Sequence, residues 1–202
     1  MYQSRHDVIL VDVPKLWSQT IETHRSAVRD ATLDATAALV AEHGLTAVTM
    51  SEIAKQTGIG RATLYKYFPD VEAIMIAWHE RQITNHLSQL AAVRDGTTGS
   101  AVDKLEAVLA AFATLSRRHH DTELATLLHR GKHVDRAQRH LRTLVADLIA
   151  EGACDGALRD DVPPTELAAF CLHALTAAGG LANQATIRRL VTVTVAGLRT
   201  PS

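Results

Sequence analysis

Residues 45–70 read LTAVTMSEIAKQTGIGRATLYKYFPD, and the fold turns on how this stretch is read. Thr49 stands before an apolar-periodic run and Glu52 lies three residues on. That is the spacing of a capping box, in which the hydroxyl accepts an orphan helical N–H and the carboxylate reaches back to the cap. The run covers residues 50–57, turns Ile53 and Ala54 inward, and stops at Gly58, a residue type that takes a left-handed C-cap at no steric cost. Ile59 plugs the turn. A second short helix over residues 61–67 follows Gly60 and turns Arg61, Thr63, Lys66 and Tyr67 outward, while Leu64 and Phe68 face the core. A helix, a tight glycine turn and a short polar helix make a helix-turn-helix signature. The second helix of such a pair fits the major groove of DNA. Arg61 and Thr63 then reach base edges, and Lys66 with the hydroxyls of Tyr65 and Tyr67 reaches phosphates. Three of the chain's eight aromatic residues fall within residues 65–68.

Outward from this stretch, the 202 residues allow one large domain or two small ones and are enough to bury a core without disulfides. Many Ala and Leu, 11 Gly and 5 Pro favour helix throughout. Two cysteines, Cys154 and Cys171, exclude a disulfide scaffold and a four-cysteine zinc site. The first residues, MYQSRHDVILVDVPKLW, hold an apolar stretch cut by Asp12 and Pro14, so no signal peptide is expected. No run approaches the roughly 18 apolar residues that a membrane helix needs, which points to a cytoplasmic protein with no membrane partner.

Apolar spacing predicts a helix over 15–43, striped by Trp17, Ile21, Val28, Ala31, Ala35 and Leu39, as one helix or as two meeting near His24. Further helices are expected over 71–92, 100–118, 122–129, 132–152, 163–178 and 184–198, with Arg94–Ser100 as the clearest loop. Val191–Val195 alternates like a strand, yet no partner strand is evident to satisfy its backbone, so helix is favoured. The expected class is all-α.

From Thr32 to Ile76 the sequence is TLDATAALVAEHGLTAVTMSEIAKQTGIGRATLYKYFPDVEAIMI. In its ALxxxxEHG first-helix end, its T-x-x-x-I-A second helix and its T-L-Y-K-Y-F third helix it resembles the TetR family of bacterial transcriptional regulators. The resemblance implies a three-helix DNA-binding domain, a C-terminal antiparallel helical bundle for effector binding and dimerisation, and a homodimer on a roughly palindromic double-stranded operator. It gives a partition into an N-terminal extension (1–24), a helix-turn-helix domain (25–70) and an effector domain (71–202), with Thr49, Arg61, Thr63, Tyr65, Lys66 and Tyr67 at the DNA. Two positions depart from the family's habit. Gly60 stands where a capping Ser is usual, and Val71 stands where a phosphate-contacting Lys often opens the fourth helix. In the extension, Trp17 and Ile21 suggest added turns packed on the first helix, rather than an arm reaching the minor groove.

Trp78, Leu109, Phe112, Leu128 and Leu144 are candidates to line the pocket of a small-molecule effector, and ordinary core is the competing reading. The last two helices carry only Glu166, Arg188 and Arg189 as charges. Leu167, Phe170, Cys171, Ala174, Leu175, Ile187 and Val191 are accordingly expected at a dimer interface.

Residues 117–142 hold five of eleven histidines (His119, His120, His129, His133 and His140) and seven Lys/Arg against three Asp/Glu. A solvated basic face is the first reading. An anion-binding or pH-sensitive pocket is the second. A metal site is the third, pairing His129 and His133 with His119, His120, Asp121 or Glu123; it would make the chain a metal-responsive or metal-binding helical protein. Gly131 weakens the helix that this site needs, and the cations repel a metal. No cofactor and no enzymatic activity are expected: G-x-S-x-G, H-E-x-x-H and phosphate-loop patterns are absent, and Asp160-Asp161 look like loop charge.

The formal net charge of −1 argues against a nucleic-acid partner only as a total. Residues 51–68 hold Lys55, Arg61 and Lys66 against Glu52, so positive charge is concentrated at the helix-turn-helix.

Overall fold

A computed structural model describes residues 13–117, 132–180 and 183–200. Among these residues the chain forms eight α-helices: α1 (Val13–His43), α2 (Met50–Thr57), α3 (Arg61–Tyr67), α4 (Val71–Gly96), α5 (Ala101–Arg117), α6 (Lys132–Cys154), α7 (Pro164–Thr176) and α8 (Gln184–Ala196). Short 3-10 turns lie at Leu45–Ala47 and Ala177–Gly180. The alternating Val191–Val195 segment is helical, within α8. The expected helix at 122–129, His119, His120, His129 and Leu128 lie outside the described residues, as does the side chain of Trp17.

The chain divides into two compact units, Met1–Trp78 and His79–Ser202. The division falls inside α4, two turns beyond the Asp70 boundary drawn from the motif. A helix spanning both units gives no punctuation in the sequence to mark the break.

In the first unit α1 is one continuous helix. From residue 21 onward the first buried positions of α1 are Thr32 and Leu33, and Ile21 is 55% exposed. Residues 21–24 of the extension are exposed and belong to α1 itself. The core is Leu33 and Val40 from α1, Val48, Met50, Ile53 and Ala54 around α2, Leu64 and Phe68 around α3, and Ile74, Met75 and Ala77 from α4. Thr32 and Thr36 are buried without loss, because each hydroxyl donates to the carbonyl one turn back, at 2.8 Å.

The second unit is built around α5, whose Leu105, Val108, Leu109 and Ala113 are fully buried. A capping box starts it: the Ser100 N–H donates to Asp103 Oδ2 at 2.8 Å, and Asp103 N–H donates to Ser100 Oγ at 3.3 Å. α6 supplies Leu144, Val145, Leu148 and Ile149 to the same core, α7 supplies Leu167, Ala168, Cys171 and Leu175, and α8 supplies Ile187, Val191 and Val195. Asn183 caps α8 by accepting from Thr186 N–H at 3.0 Å.

The ends of this unit are tied together. Arg159 N–H donates to Leu198 C=O at 2.8 Å, in a two-residue antiparallel bridge between Leu158 and Arg199. Leu158 is buried and presses on Gly152 in α6. A Cβ at Gly152 would stand 2.7 Å from Leu158 Cδ1 and 2.9 Å from Cγ. Because Leu158 is 1% exposed and pinned by that bridge, it has no room to withdraw. Gly152→Ala is therefore expected to destabilise the chain by about 1–3 kcal/mol, the usual cost of overpacking. A urea-unfolding midpoint equal to that of the parent would contradict this packing.

Candidate nucleic-acid interface

Three backbone constraints hold the helix-turn-helix. The first is the cap of α2. Glu52 N–H donates to Thr49 Oγ1 at 3.3 Å, Thr49 N–H donates to Glu52 Oε2 at 2.8 Å, and the Thr49 hydroxyl donates to the same carboxylate oxygen at 2.9 Å. These bonds hold the Glu52 carboxyl below the usual carboxylate range, Thr49 backbone N–H foremost and Thr49 hydroxyl second. The second is Gly58, which ends α2 in the left-handed conformation, φ 69° and ψ 10°. A side chain there would be strained whatever the surrounding space. The third is the entry to α3. Gly60 is extended, with no side-chain cap, and its carbonyl accepts from Thr63 N–H at 2.9 Å and Leu64 N–H at 3.0 Å.

With seven residues and no side-chain cap, α3 is too short to be stable alone. It is held from beneath. Leu64 is fully buried, and Phe68 is buried while its N–H closes the helix on Leu64 C=O at 3.0 Å. The Arg29 guanidinium of α1 lies 5.8 Å from the centre of the Phe68 ring, within cation–π range. Inner anchoring leaves Arg61, Ala62, Thr63, Tyr65 and Lys66 exposed, with Tyr65 at 48%, and Tyr67 half-buried. Arg61, Thr63, Tyr65 and Lys66 thus share one short helix, all open to solvent. Thr49 is exposed too, but its hydroxyl is engaged in the capping box, so it shapes the start of α2. At the start of α4, Asp70 Oδ1 accepts from Ala73 N–H at 2.7 Å, so this helix end opens with a carboxylate and then Val71.

The family model described as bacterial regulatory proteins, tetR family, matches residues 33–77. A second, described as the C-terminal domain of SbtR-like transcriptional regulators, matches residues 75–200. The chain belongs to the TetR family. This is a family of transcriptional regulators and not of enzymes, whose members bind DNA and act as dimers with small-molecule effectors.

A Mycobacterium tuberculosis protein named for regulation of mycofactocin biosynthesis, MftR, is 34% identical over 96 residues, 46% of this chain and 43% of its own length. A regulator of the same organism, Rv2250c, is 34% identical over 58 residues, 29% of each chain. The match thus spans less than half the length of these curated relatives. Among solved structures, a TetR/AcrR-family regulator of Thermobifida fusca aligns with TM-score 0.73 and 22% identity over 85% of this chain and 98% of that one. FadR of Bacillus subtilis, in complex with stearoyl-CoA, aligns with TM-score 0.62 and 18% identity over 84% and 98%. At these identities the structures establish the fold alone.

The effector and dimer candidates separate on inspection. Leu109 and Leu144 are buried in the core around α5, with no free surface to offer a ligand. Phe112 packs against that core half-buried, and Trp78 is half-buried at the end of the first unit. Leu167, Cys171, Leu175, Ile187 and Val191 are at most 7% exposed within a single chain. Their stripe closes the subunit's own core, so it is not an outward face. The periodicity marks packing of α7 on α6 and α5, and of α8 on α5 and α7. Burial also pushes the Cys171 thiol up to about 11, as suits an inert core cysteine. Phe170 (53% exposed) and Val193 (70%) are the large apolar residues that α7 and α8 turn outward, and Ala174, one turn after Phe170, is half-buried.

Part of the histidine-rich stretch is in view. His133 Nε2 lies 3.3 Å from His79 Nδ1, and His133 Nδ1 lies 3.6 Å from Glu80 Oε1. No three His, Cys, Asp or Glu among the described residues are grouped to hold a metal. Next to the pair, a cleft of about 510 Å³ opens between α4 and α6. Ile83, Leu87, Ala91 and Ala137 form its apolar wall, and Glu80, His133, Arg136 and His140 its polar edge. The apolar residues of α4 do not all serve one surface. Ile74, Met75 and Ala77 serve the first unit's core, and Ile83 and Leu87 line the cleft.

Thr49→Ala is expected to remove about 1 kcal/mol of stability, the usual worth of such a cap. The box also carries a pH signature. Because the Glu52 carboxyl is depressed in the folded chain, its contribution is complete above the unfolded value of about 4.3 and is lost as pH falls through the folded value. The gap in urea-unfolding midpoint between the parent and Thr49→Ala should therefore narrow as pH falls from 7 toward 3, as the hydroxyl–carboxylate bond is lost, without closing, because the Oγ1 cap on Glu52 N–H remains. An undiminished gap at pH 3 would show that the carboxylate takes no part.

Proposed function

We propose that this protein is a ligand-responsive transcriptional repressor. It binds a roughly palindromic operator as a homodimer and is released by a small-molecule effector bound in the second unit, working on the chromosome in the cytoplasm. The observation that carries the reading is the outer face of α3. Arg61, Thr63, Tyr65 and Lys66 are solvent-exposed on a helix whose inner residues are locked into a core, the arrangement that presents side chains to a major groove. Arg61 and Thr63 take the base edges. Lys66 and the tyrosine hydroxyls take phosphates, and Thr49 acts through its cap on the position of α2.

The apolar residues left outward on α7 and α8, Phe170 and Val193, support the dimer. Phe170 lies close to the end of α8, where a Cβ at Gly197 would stand 4.0 Å from Phe170 Cε1. Paired with the same surfaces of a second copy, α7 and α8 make an isologous contact, the kind that two-fold symmetry requires. Two copies of α3 then face half-sites about one helical turn or a multiple apart, and a small change in their separation releases the DNA.

Arg61→Ala should weaken specific binding by about 1–3 kcal/mol and relax sequence choice, while Lys66→Ala should weaken binding to all sequences and reduce the salt slope by about one. Footprinting on the protein's own upstream DNA, followed by mobility-shift titrations at several salt concentrations, measures both. Equal affinities for the parent and both variants would overturn the reading. Phe170→Glu should shift the sedimentation equilibrium toward monomer and weaken operator binding with it. An unchanged dimer would place the interface elsewhere.

A further inference from the structure

The cleft between α4 and α6 has an uneven chemistry that defines what it can hold. Along α4, Ile83, Leu87 and Ala91 recur at helical spacing and all stand half-buried, a stripe of about 12 Å at 1.5 Å rise per residue. Ala137 faces them from α6. The volume of about 510 Å³ falls inside the range of small-molecule sites.

Four ionisable groups line the same cleft, and they are not equivalent. Glu80 is answered by His133, at 3.6 Å, and the other ring nitrogen of His133 is taken up by His79 at 3.3 Å. The Glu80 carboxylate is thereby held at the His133 end of the cleft. Arg136 and His140 lie four apart on α6, hence on one face a few ångströms from each other, and both are exposed. Among the described residues Arg136 has no carboxylate partner and His140 no hydrogen-bond partner. A guanidinium presents a planar fork of donors suited to a carboxylate or a phosphate. One edge of the cleft therefore offers an exposed guanidinium and an exposed imidazole without protein partners among the described residues, and much of the rest is an apolar trough.

We propose that this cleft binds an amphiphilic anion: a carboxylate or phosphate head on Arg136 and His140, with an aliphatic body lying along Ile83, Leu87 and Ala91. A neutral hydrophobe leaves Arg136 unmatched, and a small anion leaves the trough empty, so neither fills the site. The inference gives a chemical class to the effector of the repressor proposed above, and its biological role rests on that reading.

The test is calorimetric titration of the full chain, without DNA, with sodium decanoate, decyl phosphate, 1-decanol and sodium butyrate. At least one of the two long anions should bind about tenfold or more tightly than decanol and butyrate, and their order identifies the head group. Arg136→Gln should lower that affinity about tenfold, the worth of a hydrogen bond to a charged group. Arg188→Gln, an exposed change on α8, should leave it unaltered. The proposal is overturned if no long anion binds, if decanol binds as tightly, or if Arg136→Gln behaves like Arg188→Gln. Footprinting is read separately. A chain that binds decanoate through Arg136 but protects no DNA keeps the site and loses the regulatory reading. A chain that protects its operator but binds neither anion keeps the regulatory reading and loses the site.

Discussion

The left-handed backbone of Gly58 is the constraint on which the DNA-facing part of this chain depends. At φ 69° it ends α2 and turns the backbone so that α3 begins three residues later with Leu64 aimed at the core. A Cβ at that position strains the turn. Every other feature of the interface is downstream of this direction change. Leu64 and Phe68 can be buried only if α3 leaves at this angle, and Arg61, Thr63, Tyr65 and Lys66 are exposed because those two residues are buried. The capping box of Thr49 and Glu52 does the corresponding work at the other end of α2. One helix eight residues long is thus fixed at both ends by local rules.

That locality explains why this region was legible in the sequence. Capping boxes, left-handed glycines and i, i+4 pairs act over four or five residues, and the bounds of α2 and α3 read from them agree with the structure. The loop once expected at Arg94–Ser100 is shorter, because α4 runs on to Gly96 and only Thr97–Ser100 remain before α5. α4 also hid the boundary between the two units, since a helix continuing through a boundary supplies no glycine, proline or change of composition to mark it.

The C-terminal half teaches a different lesson. Leu167, Cys171, Leu175, Ile187 and Val191 are buried within one chain, but burial inside one chain and burial between two copies select the same residue types. Periodicity cannot tell them apart, and only the placement of α5 against α7 and α8 does so. Two large apolar residues are left outward: Phe170, a member of the stripe expected at the interface, and Val193, which lies beyond it. The cleft between α4 and α6 was invisible for a related reason. It is made by residues some fifty positions apart, on two helices whose spacing carries no sequence signal. Its cations were noticed as an excess of charge in residues 117–142, without any indication that Arg136 and His140 stand beside an apolar trough.

The anchoring of α3 from beneath has a bearing on how such a protein diversifies. Its stability rests on Leu64 and Phe68, both buried, with the exposed Arg29 guanidinium of α1 set against the Phe68 ring. Its outer residues make no contact that the fold requires. Exchanges at Arg61, Ala62, Thr63 and Lys66 are therefore nearly free of folding cost, whereas exchanges at Leu64 are not. Duplicated copies of this chain could drift to new DNA sequences through a handful of surface substitutions while the scaffold stayed under unchanged selection, and recognition and stability would evolve as separate traits.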